Sequence, residues 1–206
     1  MGFYDRYILP GLINAACSAR PINRQRAKIV PQAEGVVLEL GFGSGLNLPF
    51  YDATKVQRLI ALEPSQGMLA KAREKAGDAK FPVDVLPETA ERLSLPDRSV
   101  DTVLVTYSLC TIPDPVSALS AARRVLKPGG RLLFCEHGRA PDEAVYRWQR
   151  RIEPVWKVIG GGCHLTREIP KLVAASGFGV ETLETMYLPK SPRWAGYNYW
   201  GAARAI

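Results

Sequence analysis

The stretch that most constrains this chain is Val36-Val37-Leu38-Glu39-Leu40-Gly41-Phe42-Gly43-Ser44-Gly45-Leu46-Asn47. Apolar and β-branched residues bracket one acid, and a Gly-x-Gly-x-Gly turn leads into a short apolar run, which predicts a buried strand, a tight loop and a helix start. Glycine suits such a loop because a side chain would hold the backbone away from a ligand and because the tight path needs positive φ. A glycine-rich turn without a ligand has the same spelling, so the flanking residues decide. Glu39 lies in the strand two residues before Gly41, where its carboxylate points at the loop mouth and repels a pyrophosphate. A dinucleotide loop spells Gly-x-Gly-x-x-Gly, whereas here Gly45 comes one residue early. An acid beside the loop suits a ligand with an amine or sulfonium at that place.

Two further segments belong to the same pattern. Leu59-Ile60-Ala61-Leu62-Glu63 reads as a second strand ending in an acid, which can accept both hydroxyls of a ribose. Leu126-Lys127-Pro128-Gly129-Gly130-Arg131-Leu132-Leu133-Phe134 runs from a helix end through a turn into another strand. With Glu39-Leu40-Gly41-Phe42-Gly43-Ser44-Gly45, these segments resemble class I S-adenosylmethionine-dependent methyltransferases, over roughly residues 30–206. The resemblance implies an α/β, Rossmann-like seven-stranded sheet, mostly parallel with a C-terminal antiparallel hairpin and helices on both faces. It also implies S-adenosyl-L-methionine as cofactor, contacted by Glu39, Gly41, Gly43, Gly45, Asn47, Glu63, Pro64, Thr89, Ala90 and Thr106. Thr89 stands where the family often has an acid for the adenine amino group, so Thr89, Glu88 and Glu91 all remain candidates for that contact.

With 206 residues, 47% of them hydrophobic, the chain supports one domain with a substantial core. The expected division is an N-terminal helical cap over residues 1–30 and a single methyltransferase domain over residues 31–206. In related enzymes such a leading segment folds over the cleft as a lid, which singles out Tyr4 and Tyr7. Cys17, Cys110, Cys135 and Cys163 are far apart, with no C-x-x-C pair and no cluster with histidine, so neither a metal site nor a disulfide framework is expected, and a reducing cytoplasm fits. The net charge of +7 raises the question of nucleic acid or an anionic membrane, but the basic residues are scattered and read as solvated helix faces. The end of the fourth strand, Thr106-Tyr107-Ser108-Leu109-Cys110, lacks the Asn-Pro-Pro-Tyr-like spelling of enzymes that methylate base amines, so no nucleic-acid partner is expected. The apolar run 8–19 is too short to span a bilayer, which takes ~20 residues, but contact with a membrane periphery stays open. Oligomeric state is not legible.

Ligands in open α/β sheets bind at the carboxyl ends of strands, which points to Tyr107 and to Glu136-His137 at the end of the fifth strand. Glu136 and His137 can be read as base and orienter or as structural hydrogen-bonding groups. Residues 142–159 carry Val145, Trp148, Ile152, Val155 and Ile159 on one helical stripe, expected mostly in the core, with Pro154 expected to kink or split the helix. Trp148 and Trp156 suit an apolar substrate wall. In Gly160-Gly161-Gly162-Cys163-His164-Leu165-Thr166-Arg167-Glu168, Thr166 is the expected N-cap of the next helix, and Cys163 reads as a small buried hydrophobe or a nucleophile. Glu136-His137, the aromatic helix and Gly-Cys-x-Leu-Thr-Arg-Glu together resemble animal thiol methyltransferases of microsomal membranes and bacterial phospholipid-type methyltransferases. The expected function is methyl transfer to a lipophilic small-molecule or lipid-like acceptor, such as a thiol, with Glu136, His137, Tyr107 and His164 around it. Alternatives are phospholipid head-group N-methylation and non-catalytic cofactor binding.

Overall fold

The computed structural model describes residues 9–206; Tyr4 and Tyr7 lie outside them. Seven strands, β1 (Gly35–Leu40), β2 (Val56–Leu62), β3 (Val83–Leu86), β4 (Val100–Thr106), β5 (Leu126–His137), β6 (Phe178–Tyr187) and β7 (Tyr197–Ala205), form one sheet in the order β3-β2-β1-β4-β5-β7-β6. The pairs among β1 to β5 are parallel, and β7 runs antiparallel to both β5 and β6. The central strands are nearly continuous apolar runs because helices cover both faces. Alternate side chains feed two cores. Leu38, Leu40, Val103, Val105, Leu132 and Phe134 face one way and pack with α4 (Pro115–Val125) and α6 (Ile169–Ala175). Val37, Leu59, Leu104 and Leu133 face the other and pack with Ile29 of α2 (Arg20–Ile29) and Ala72 of α3 (Gln66–Ala76).

The chain leaves β1 toward β2 on one side, while β4 lies on the other. This reversal opens a crevice at the carboxyl ends of β1 and β4, the usual ligand position in such sheets. The helix α1 (Leu9–Cys17) lies beside that crevice.

Several local expectations are corrected. No α-helix follows the glycine turn; Pro49 sits in a 3₁₀ turn, Leu48–Phe50. The helix α5 (Glu143–Ile159) runs unbroken through Pro154, whose exposed face lets water take the carbonyl that proline cannot serve. Its apolar stripe is not core: Val155 is 66% and Ile159 51% exposed, and Trp148 is exposed as well. Gln149 is the buried anchor of α5, accepting from Ala140 N–H at 2.9 Å and donating to the Gly138 and Trp194 carbonyls at 3.0 Å each. Thr166 caps no helix; Glu168 is the N-cap of α6, and the Thr166 hydroxyl donates to Glu153 at 2.7 Å. Asp114 caps α4 as its Asp-Pro spelling implies, accepting from Ser117 N–H at 3.0 Å.

Gly201 of β7 faces the register shift in β6, where a Cβ would lie 1.9 Å from the Thr182 carbonyl oxygen. Gly201→Ala is therefore expected to destabilise the fold by about 1–3 kcal/mol, read as a lower urea midpoint with an unchanged m-value.

Candidate active site

A cleft of about 680 Å³ opens at the carboxyl ends of the central strands. Its floor is a buried polar chain. Arg26, on α2, donates through Nη1 to Asn47 Oδ1 and to Thr106 Oγ1, both at 2.8 Å. Asn47 passes the contact on, its amide donating to Glu39 Oε1 at 2.9 Å. The Tyr51 hydroxyl donates to Glu39 Oε2 at 2.6 Å. Arg26, Glu39, Asn47 and Thr106 are all buried and all line the cleft. Burial pushes the Glu39 carboxyl up to about 7, against the opposing pull of Tyr51, Asn47 and the Arg26 charge.

Glu63, at the end of β2, holds the glycine turn. Its Oε2 accepts from Gly43 N–H at 2.7 Å and its Oε1 from Ser65 N–H at 2.8 Å, while burial raises its pKa against these two bonds. Gly41 has φ +77°, and a Cβ there would meet the Ser108 hydroxyl at 2.3 Å. A Cβ on Gly43, at φ +59°, would point into open space with Met68 Cε at 3.9 Å. Gly41, Gly43, Pro64, Thr89 and Ala90 line the cleft; Gly45 lies behind it, packed on Phe42, Leu48 and Lys75.

The wall beyond the floor begins at Tyr107, which takes a left-handed backbone (φ +52°) directly after β4. Its N–H donates to the Cys135 carbonyl at 2.9 Å and its hydroxyl to Asn198 Oδ1 at 2.7 Å. Burial, reinforced by Cys135, raises its phenol well above the ordinary value, so it stays protonated. Facing it are Leu9, Ile13 and Cys17 of α1. Asn14 of α1 accepts a hydrogen bond from Ser44, and Leu9 covers Gly161.

Of the acceptor residues expected from sequence, only Tyr107 lines the cleft. Glu136 is wholly buried, and its Oε1 accepts from the Ser108 and Leu109 N–H groups at 2.7 and 3.0 Å, so it braces the wall from behind. Burial pushes it up to about 7 against those bonds. His164 turns away to pair with Glu153, Nδ1 to Oε1 at 3.4 Å, and burial together with Arg167 and Lys157 lowers its pKa. His137 lies behind the wall with its Nε2 3.2 Å from Cys163 Sγ. Burial works to lower its pKa, but the charge and hydrogen bond of Cys163 together with the Glu136 charge hold it above the ordinary value. The expectation that the cysteines form no cluster with histidine is corrected: Cys110, His137 and Cys163 converge, their donor atoms within 4.8 Å of one another. Trp148 is exposed and Trp156 stacks edge-on against Trp194 at 5.1 Å, so neither forms a substrate wall. Arg26 and Tyr51 are the floor residues that sequence reasoning missed. Arg26 could have been noticed as a charge inside the apolar stripe Ile22, Arg26, Ile29.

A methyltransferase-domain profile matches residues 38–134. Together with the relatives below, the fold and cleft place the chain in the class I S-adenosylmethionine-dependent methyltransferases; it is an enzyme that transfers a methyl group from S-adenosyl-L-methionine. More particularly, thiol S-methyltransferase TMT1B of Rattus norvegicus is 35% identical to it over 170 residues, covering 79% of this chain and 70% of that protein. Phosphatidylethanolamine N-methyltransferase of Cereibacter sphaeroides is 31% identical over 155 residues, covering 73% of this chain and 75% of that protein. The SAM-dependent methyltransferase TM1293 of Thermotoga maritima shares the fold with a TM-score of 0.69 over 98% of both chains, at 23% identity. Among the described residues no helix is long and apolar enough to cross a membrane.

The raised Glu39 carboxyl has a consequence for the protein without ligand. The folded state keeps a proton that the unfolded chain, with its ordinary value of 4.5, releases. Stability therefore falls as pH rises from that value to about 7. Glu39→Gln removes this slope: measured by chemical unfolding, the stability difference between variant and wild type shifts in the variant's favour by about 2–3 kcal/mol across the window.

Proposed function

We propose that the chain methylates a lipophilic thiol, with its cofactor seated along the carboxyl ends of β1, β2 and β4. The buried guanidinium of Arg26 and carboxyl of Glu39, bridged by Asn47, suit the zwitterionic amino-acid end. Gly41 and Gly43 give close backbone approach, with free space over Gly43. Glu63 is assigned the ribose hydroxyls, using lone pairs left by its two backbone bonds, and Pro64, Thr89 and Ala90 the adenine side. When bound, the cofactor supplies an electrophilic methyl group on a sulfonium. The chain's part is to align the acceptor and keep water out, and alignment can be worth ~7–11 kcal/mol in favourable cases.

The observation that carries the thiol reading is the chemistry of the acceptor end. Among the described residues of that end, Leu9, Ile13, Cys17, Tyr107, Thr111 and Ile112 present neither a carboxylate nor an imidazole, and the Tyr107 phenol holds its proton. A hydroxyl or an ammonium acceptor needs a base to take its proton. A thiol is far more acidic than an alcohol, with a pKa of about 8.5 for the cysteine side chain, and reaches its nucleophilic thiolate with the least help. Glu136 and His164 then act on the acceptor only through the wall they brace. The rat relative is named for thiol methylation, which agrees. Phospholipid head-group N-methylation is the second reading, favoured by the net charge of +7 and by exposed Leu12 of α1 and Val158 of α5.

Glu63→Ala is expected to weaken S-adenosylmethionine binding at least roughly 10–100-fold, the equivalent of about 1.5–3 kcal/mol for hydrogen bonds to a charged group. Titration calorimetry reads this directly, and unchanged affinity would remove Glu63 from the site.

For the acceptor, release of S-adenosylhomocysteine is followed with hexanethiol, a phenol and phosphatidylethanolamine vesicles. Turnover is expected on the thiol, with kcat/KM rising toward the thiol's own pKa. Turnover on the vesicles and none on the thiol would replace this reading with the second.

A further inference from the structure

Behind the acceptor wall, three chain segments remote in sequence bring soft donor atoms together. Cys110 comes from the loop after β4, His137 from the last position of β5, and Cys163 from the loop between α5 and α6. The three donor atoms lie within 4.8 Å of one another, with Cys163 Sγ 3.2 Å from His137 Nε2. A tetrahedral zinc ion bound by sulfur and imidazole has ligand–ligand edges of roughly 3.5–3.8 Å, from Zn–S of about 2.3 Å and Zn–N of about 2.0–2.1 Å. Side-chain movements of about an ångström or less would close the cluster onto one ion. Both thiols are buried.

One further polar group borders the cluster: the Trp156 indole nitrogen lies beside the Cys163 thiol. With a cation on the sulfurs, the indole N–H faces a metal-bound thiolate, the kind of outer contact that orients metal ligands. The backbone is already tied around the cluster: His164 N–H donates to the Cys110 carbonyl at 2.8 Å, and Arg167 Nη1 donates to the Ile112 carbonyl at 2.8 Å and to the Leu109 carbonyl.

We propose that Cys110, Cys163 and His137 form a binding site for a thiophilic divalent cation, zinc by preference, with three protein ligands and the fourth position held by a small exogenous ligand. Two thiolates and an imidazole favour zinc over magnesium or calcium, which take oxygen donors. Binding deprotonates the ligating thiols and releases their protons. The site sits one layer behind the cleft, because Ser108 and Thr111, on either side of Cys110, and Gly161, just before Cys163, line the cleft while the three ligands do not. A bound ion would fasten the α5–α6 loop to the wall that Tyr107 begins. This inference is independent of which acceptor the enzyme uses.

The test uses the reduced full-length protein, stripped with chelator and reloaded with zinc or cobalt. One ion per chain by atomic emission is expected, with an intense thiolate-to-cobalt charge-transfer band and a higher melting temperature on loading. Cys110→Ser and Cys163→Ser should each weaken zinc binding at least roughly tenfold, whereas Cys17→Ser should retain the band. Should those variants fail to fold, wild-type protein still decides: zinc should protect Cys110 and Cys163, but not Cys17, from alkylation as read by mass spectrometry. Absence of the charge-transfer band, alkylation of Cys110 and Cys163 unaffected by zinc, or stoichiometric zinc persisting in the Cys110→Ser/Cys163→Ser double variant would each overturn the assignment.

Discussion

The carboxylate of Glu39 is the constraint from which the rest of this molecule follows. It sits in β1, between β2 and β4, with 1% of its surface exposed, a position where an unpartnered acid is strongly disfavoured. Its partners come from outside the strand: Asn47 and Tyr51 from the segment after the glycine turn, and Arg26 through Asn47 from α2. Satisfying one buried acid thus folds the glycine turn back over the strand ends and draws α2 across them. The register of β1 with β2 and β4 fixes where the acid lies, and the acid fixes where α2 lies. Within such a low-dielectric network, hydrogen bonds strengthen one another when all are made and become costly when one is missing.

A second acid performs a comparable service on the other side of the cleft. Glu136, next to last in β5, accepts through Oε1 from two consecutive N–H groups, those of Ser108 and Leu109. That clamp stabilises the abrupt turn after Thr106, where Tyr107 adopts a backbone conformation that costs a non-glycine residue of order 1–3 kcal/mol. The phenol is fixed at its far end by Asn198 of β7. An acid at a strand end beside a cleft therefore positions the wall rather than meeting the acceptor, and its burial behind Ser108 is the physical reason.

The sheet was legible because its signal is local. Buried parallel strands are short apolar runs, and β1, β2 and β4 announce themselves in that way. The hairpin of β6 and β7 shows through the proline-rich break between them. Within the glycine motif, Glu39 and Glu63 could be placed because strand ends and tight turns are local features too. What could not be read are contacts between strand ends. Arg26 looks like any basic residue until α2 is laid over Asn47, and Cys110, His137 and Cys163 meet only when β4, β5 and the α5–α6 loop are side by side. The misreading of α5 has a different cause. A 3.6-residue apolar period reports amphipathicity, and on α5 that period coexists with an anchor made by a polar residue, Gln149, so the apolar stripe is left largely at the surface.

These anchors give the two sides of the acceptor end unequal stiffness. The wall from Tyr107 to Ile112 is held by Glu136 on its amides, by Arg167 on two of its carbonyls and by His164 on the Cys110 carbonyl, all non-local and directional bonds. The opposite side is α1, which is tied to the glycine turn by one hydrogen bond, from Ser44 to Asn14, and otherwise meets the cleft through Leu9, Ile13 and Cys17 and rests on Gly161 by apolar contact. Apolar contacts are non-directional and tolerate sliding and repacking far better than a polar clamp does. For the proposed acceptor site, a change of acceptor size is therefore expected to be absorbed by α1, while the wall keeps its geometry relative to the floor on which Glu39 and Arg26 lie. In-line transfer demands that fixed geometry, because the reacting atoms must be aligned within a few tenths of an ångström, whereas acceptor shape is a matter of how α1 packs. Under the proposed function this division assigns alignment to residues held by hydrogen bonds and acceptor selectivity to the apolar side chains of α1.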